Sequence, residues 1–78
     1  MKIERILTSD VLRAHSYVGA RGWQLEEARP AGVPAALDGF RVVFGYRRRD
    51  GRRALLARDA SGALFLCELP CEQKGGAA

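Results

Sequence analysis

Seven arginines fall between positions 41 and 58 of this chain: Arg41, Arg47, Arg48, Arg49, Arg52, Arg53 and Arg58. A guanidinium presents five N–H donors in a rigid fork that matches carboxylates and phosphates. The chemistry such a cluster suits is anion binding, either to nucleic-acid phosphates or to an acidic protein surface. Asp50 is the one acidic residue among them, so the segment has a net charge of +6, while the rest of the chain is at −2. The whole +4 excess of the protein therefore sits in one stretch. The plainer reading is a solvated strand edge, since charged residues at edges and turn tips keep sheets from aggregating. No zinc-finger spacing and no aromatic pair of the RNA-recognition type accompanies the arginines, and Phe65 alone is a poor base-stacking platform.

Other chemistry-bearing residues do not assemble into a set. His15 is the single imidazole, so neither a zinc site nor a histidine-based nucleophile is supported. Ser61 sits in a turn without nucleophile-elbow context, and the glycines match neither a phosphate loop nor a dinucleotide fingerprint. Glu26 and Glu27 are adjacent, which on a strand points them to opposite faces and rules out a carboxylate pair. Cys67 and Cys71 would stand about 13 Å apart in extended chain. A disulfide needs under about 7 Å, so two reduced thiols are expected unless Pro70 turns sharply. No catalytic, cofactor or metal residues are assigned, and a non-enzyme without a small-molecule substrate is expected.

The elements that must position the arginines follow from pattern. Met1 to Leu7 reads as a short strand. Thr8-Ser9-Asp10 supplies N-cap chemistry, and Val11, Ala14 and Val18 recur at helical spacing up to Arg21. Gly22 can take the left-handed conformation that ends a helix, with Trp23 folding back as its hydrophobic contact. In Trp23 to Ala28 the residues Glu26, Glu27 and Ala28 favour helix by propensity, while Trp23/Leu25 against Gln24/Glu26 alternate as in a strand. A strand is expected because Gly22 has already ended the helix. Arg29 to Gly39 is a loop in which Pro34 could open a single helical turn. The remainder reads as a three-stranded meander over about 40–48, 53–58 and 63–69, joined by Asp50-Gly51 as a two-residue turn and by Ala60-Ser61-Gly62. The expected fold class is α+β, β-α-β-β-β-β: one helix on one face of a mostly antiparallel sheet of four or five strands. Residues 1–69 are expected to form one domain and 70–78 a frayed tail.

Alternation sorts the meander into two faces. Phe40, Val42, Phe44, Tyr46, Leu55, Ala57, Leu64 and Leu66 are expected under the helix. Arg41, Val43, Gly45, Arg47, Ala54, Leu56, Arg58, Phe65, Cys67 and Leu69 would then share the other face. With only one helix to cover the sheet, Val43, Leu56, Phe65 and Leu69 form an apolar centre among arginines, the make-up of a protein interface. The alternative is that the loop 29–39 folds over this face and hides it.

At 78 residues the chain can bury only roughly 60–65% of its unfolded surface, so self-association or a partner is a natural source of further burial. The N-terminus lacks a signal-peptide core and the longest apolar run, 63–67, is far short of a bilayer span. A cytoplasmic protein with no membrane contact is expected.

Tyr17 to Leu25, followed by Phe40 to Arg47, resembles a small bacterial family. Its members place a helix ending in Leu-Asn-x-x-Gly-x-x-Gly-Trp-Glu-Leu before a short strand, and end a later strand in aromatic-x-x-Lys/Arg. Gly19, Gly22, Trp23 and Leu25 match, and Gln24 stands where the family has glutamate. The resemblance covers about residues 1–48. It implies the β-α-β-β order and a strand after Trp23, and it carries no activity. The function expected, from the partly apolar second sheet face, is a small regulator, adapter or inhibitor that binds a protein partner or self-associates through that face as a homodimer. Nucleic-acid binding through the arginine segment is the alternative.

Overall fold

The computed structural model describes residues 1–30 and 34–70. The expected tail beyond Pro70, and Cys71 with it, lies outside the described residues. Strand β1 (Lys2–Ile6) leads into helix α1 (Val11–Ala20) and strand β2 (Gln24–Ala28), then a 3-10 turn (Ala35–Leu37) and strands β3 (Arg41–Arg47), β4 (Arg53–Arg58) and β5 (Leu64–Glu68). The five strands form one antiparallel sheet in the order β1-β5-β4-β3-β2. This is the α+β architecture expected. Because β1 and β2 are the two edges, α1 must carry the chain from one edge to the other across a single face. Ten residues give about 15 Å of helix, close to the roughly 19 Å spanned by the four inter-strand gaps.

Both ends of α1 are specified locally. The Asp10 carboxylate accepts from the backbone N–H of Leu12 at 2.9 Å and of Arg13 at 3.4 Å, satisfying donors that the first turn leaves free. At the other end Gly22 takes φ 93°. The Trp23 N–H donates to the Val18 carbonyl at 3.2 Å and the Gly22 N–H to Gly19 at 3.1 Å. These are the two bonds of a Schellman motif, and they return Trp23 to the face of the helix that Val18 occupies. Trp23 is 3% exposed. It joins Ile6, Ala14, Val18, Tyr46, Ala54, Leu56, Leu64 and Leu66 in the core between helix and sheet.

The meander differs from expectation at its first turn. Arg48 donates its N–H to the Arg52 carbonyl at 2.8 Å, and Gly51 donates to Arg48 at 3.0 Å, so the loop is three residues, Arg49-Asp50-Gly51. Gly51 alone has positive φ (91°), where a two-residue turn would need it at Asp50 as well. The turn Ala60-Ser61-Gly62 is built the same way between Asp59 and Ala63, with Gly62 at φ 92°. One extra loop residue shifts β4 by one against β3, and a one-residue shift moves every side chain of the strand to the opposite face. Tyr46 therefore pairs with Ala54 and Phe44 with Leu56.

Leu56, expected on the exposed face, is fully buried under the helix, as is Ala54. Leu55 and Ala57, expected under the helix, line the second face. A bulge adds a further correction in β3. Val42 pairs with Ala57 and Phe44 with Leu56, leaving Val43 without a partner on β4. The strand changes phase there, so Phe40 and Val42 turn to the second face while Phe44 and Tyr46 stay under the helix. In β5 the sorting stands: Leu64 and Leu66 face the helix, and Phe65, Cys67 and Leu69 face away.

Candidate functional site

The second face is largely a small core of its own. Pro34 precedes the 3-10 turn, and Leu37 at its end is fully buried, packed with Leu55, Ala57 and Cys67 and flanked by Phe40, Val42, Phe65 and Leu69. Phe40 meets Phe65 edge to face, with centroids 5.6 Å apart. Further along, Pro30 sits over Gly45: a β-carbon there would lie 3.1 Å from the Pro30 ring. The described loop residues Pro30 and Leu37 thus lie over β3, β4 and β5. Of the expected interface residues, Leu56 belongs to the other core, Val43 is the half-buried bulge residue whose carbonyl accepts from Arg29 at 3.2 Å, and Phe65 and Leu69 are half-buried beneath the chain's own loop. What stays open is the margin at β1. Ile3 is 47% exposed and Met1 45%. Ile3 is the direct cross-strand partner of Cys67, which places Phe65 and Leu69 as its diagonal neighbours.

The arginines are brought together in sequence but divided in space. Cross-strand pairs Arg47–Arg53 and Arg41–Arg58 stand at opposite ends of the β3–β4 ladder, and the bulge puts them on opposite faces. Like charges directly across a ladder repel unless something lies between them. At the first pair that something is Glu26, the bulged residue of β2. It holds Arg47 at 2.9 Å through one oxygen and Arg53 at 2.8 and 3.1 Å through the other. Arg48 lies over the Trp23 ring, 4.5 Å from its centroid, and donates to the Arg21 carbonyl at 3.0 Å. Arg58 donates to the carbonyls of Gly62 and Ser9, at 2.9 and 3.3 Å. Arg52 reaches Asp50 and Glu68 at 3.7 and 3.8 Å. Among the described residues, Arg41 and Arg49 alone of the seven have no such partner. Sequence order could not show this, because every bond but those to Asp50 and Gly62 crosses between elements.

His15 is half-buried on α1, with Nδ1 2.9 Å from the Tyr46 hydroxyl and its ring against Phe44 and Tyr46. Ser61 donates its hydroxyl to Asp59 Oδ1 at 2.7 Å, and the same oxygen accepts from the N–H groups of Ser61 and Ala63. Those bonds hold the Asp59 carboxyl below its usual range. His15 is thus tied into the packing of helix on sheet and Ser61 into its own turn. Among the described residues no three His, Cys, Asp or Glu side chains gather as metal ligands, and no helix is long and apolar enough to cross a membrane.

Two buried acids make the fold sensitive to alkali. Burial raises the Cys67 thiol to about 11 and the Tyr46 hydroxyl to about 12, against ordinary values of 9.0 and 10.0. A folded pKa above the unfolded one means that deprotonation favours the unfolded chain. What these two groups contribute should therefore be fully present below pH 9, fall as pH rises toward 11 through the thiol, and fall further between 10 and 12 through Tyr46. Urea midpoints measured across this range check it: Tyr46→Phe should flatten the upper part of the decline, and a flat wild-type profile would contradict the burial of both groups.

Comparison of the chain with protein-family models, with curated proteins and with solved structures finds no match.

Proposed function

We propose that this chain is a small non-catalytic interaction module that self-associates through the apolar margin left open at β1, and acts as a regulator, adapter or inhibitor. The observation that carries the reading is the half-exposed pair Met1 and Ile3, adjoining the half-buried Phe65 and Leu69. An apolar centre beside arginine, here Arg5 on the same side of β1, has the composition of interfaces more than of solvated surface. Further burial also benefits a chain of 78 residues more than a large one, since its own core is small. Light scattering over micromolar to millimolar concentrations tests the reading. The mass should rise from 8.5 kDa toward twice that value; a mass independent of concentration overturns self-association.

Nucleic-acid binding through residues 41–58 is the second reading, supported by the +6 charge of that segment. With Arg41 and Arg49 as the guanidiniums without partners among the described residues, log K for duplex DNA should fall against log salt with a slope of about −2. Glu26→Gln releases Arg47 and Arg53 and should steepen the slope to about −4. Binding that ignores salt, or a slope unmoved by Glu26→Gln, rules this reading out.

A further inference from the structure

The sheet has two edges, and they differ. Along β2 the ladder is broken by the bulge at Glu26, and the strand runs into Arg29 at φ 61° and then Pro30. Bulges, prolines and charged side chains are devices that stop an edge from accepting another strand. β1 has no bulge and no proline, and its charges, Lys2, Glu4 and Arg5, exclude only the registers that set like on like. It pairs with β5 over all five of its residues without a register shift, and among the described residues no strand pairs with its outer side, where the backbone N–H and C=O groups of an edge stand unpaired.

We propose that two copies of the chain pair β1 against β1, antiparallel, about a two-fold axis at Ile3, joining their sheets into one. The proposal rests on the self-association reading above and names its geometry. The register follows from the sequence Lys2-Ile3-Glu4-Arg5-Ile6. Opposed residues on a ladder share a face, so an axis at any residue sets that residue against its own copy. An axis at Lys2, Glu4 or Arg5 opposes identical charges, and a parallel in-register pairing opposes all three. An axis at Ile6 leaves most of the strand unpaired and centres on a side chain already 5% exposed. The axis at Ile3 sets Ile3 on Ile3 and, on the helix side, Lys2 on Glu4 of the second copy twice over.

The side chains are already placed for this. Lys2 and Glu4 both lie on the helix face, opposite Glu68 and Leu66 of β5, while Ile3 lies on the other, opposite Cys67. Glu4 is held in position by Arg21, at 2.7 and 3.0 Å, and by the Tyr17 hydroxyl at 3.2 Å. Those bonds fix the carboxylate and keep it ionised, the Arg21 guanidinium being the first cause of its lowered pKa. The ion pairs and the apolar contact thus form on opposite sides of the joined sheet.

Charge exchange tests the register. Lys2→Glu alone sets acid against Glu4 of the second copy, and Glu4→Lys alone sets base against Lys2. Each should raise the concentration at which the dimer is half-formed by at least tenfold, with the circular dichroism of the fold unchanged. Mixing the two variant chains makes both contacts complementary again, and the mixture should dimerise within a few-fold of the wild-type midpoint. Ile3→Lys should abolish the dimer in a folded chain, independently of the Glu4 environment. If both single variants dimerise as the wild type does, or the mixture shows no recovery, the β1 register is wrong while self-association stands. If the wild type stays monomeric, both fail.

Discussion

Replacing Trp23 with alanine is expected to cost about 3–5 kcal/mol, the range for removing a buried aromatic. A chain of this length has roughly 4–12 kcal/mol of stability in all, so the loss is a large share of it and unfolds the variant at the lower end of that range. The ring is 3% exposed and closes the core at the end of α1. The same residue is the hydrophobic partner in the Schellman motif, so its loss also loosens the end of the helix. Arg48, 4.5 Å above the ring and bonded to the Arg21 carbonyl, ties β3 to that helix end through the indole. Urea denaturation measures the cost, and the wild-type emission should shift to longer wavelength on unfolding. Arg49→Ala, exposed at the hairpin tip, is the control and should change stability by no more than about 0.5 kcal/mol. A nearly neutral Trp23→Ala, together with wild-type emission already that of exposed indole, would place the ring at the surface.

Leu56→Ala carries the second large effect, about 2–5 kcal/mol. Leu56 lies on the central strand, fully buried opposite Phe44 and Leu66. The experiment distinguishes two registers of the hairpin. With a two-residue Asp50-Gly51 turn, Leu56 would face away from the helix, and its truncation would weaken association with little change in monomer stability. With the three-residue loop it is core, and truncation should lower the urea midpoint at every protein concentration. A stable variant that only fails to associate would return Leu56 to the surface and overturn the register.

The contrast between these two residues shows which parts of the fold are legible in one dimension. Asp10 caps and Gly22 ends the helix through bonds made within a few residues, and Trp23 follows from the motif that Gly22 completes. Residue type alone suffices there, because the partners are neighbours in sequence. The same holds for the order of elements, for the helical turn after Pro34, and for the faces of β5. Asp50-Gly51 also announced a turn correctly. It did not announce the turn's length, because glycine in the left-handed conformation serves a two-residue and a three-residue loop equally well. That single residue decided the faces of β4, and with them whether Leu56 was interface or core.

The arginines show the same division. Their number, their place and the +6 charge are properties of the sequence. Their availability is not. Glu26 engages both Arg47 and Arg53 from a strand more than twenty positions earlier, through a bulge that no pattern marked. Leu37 likewise closes the second face from a loop whose composition allowed it either to cover the sheet or to stand free. Local hydrogen bonding and periodicity thus determined the elements of this protein. Register, bulges and the path of one loop decided which surfaces remain open, because those depend on side chains distant in sequence competing for the same space and the same charge.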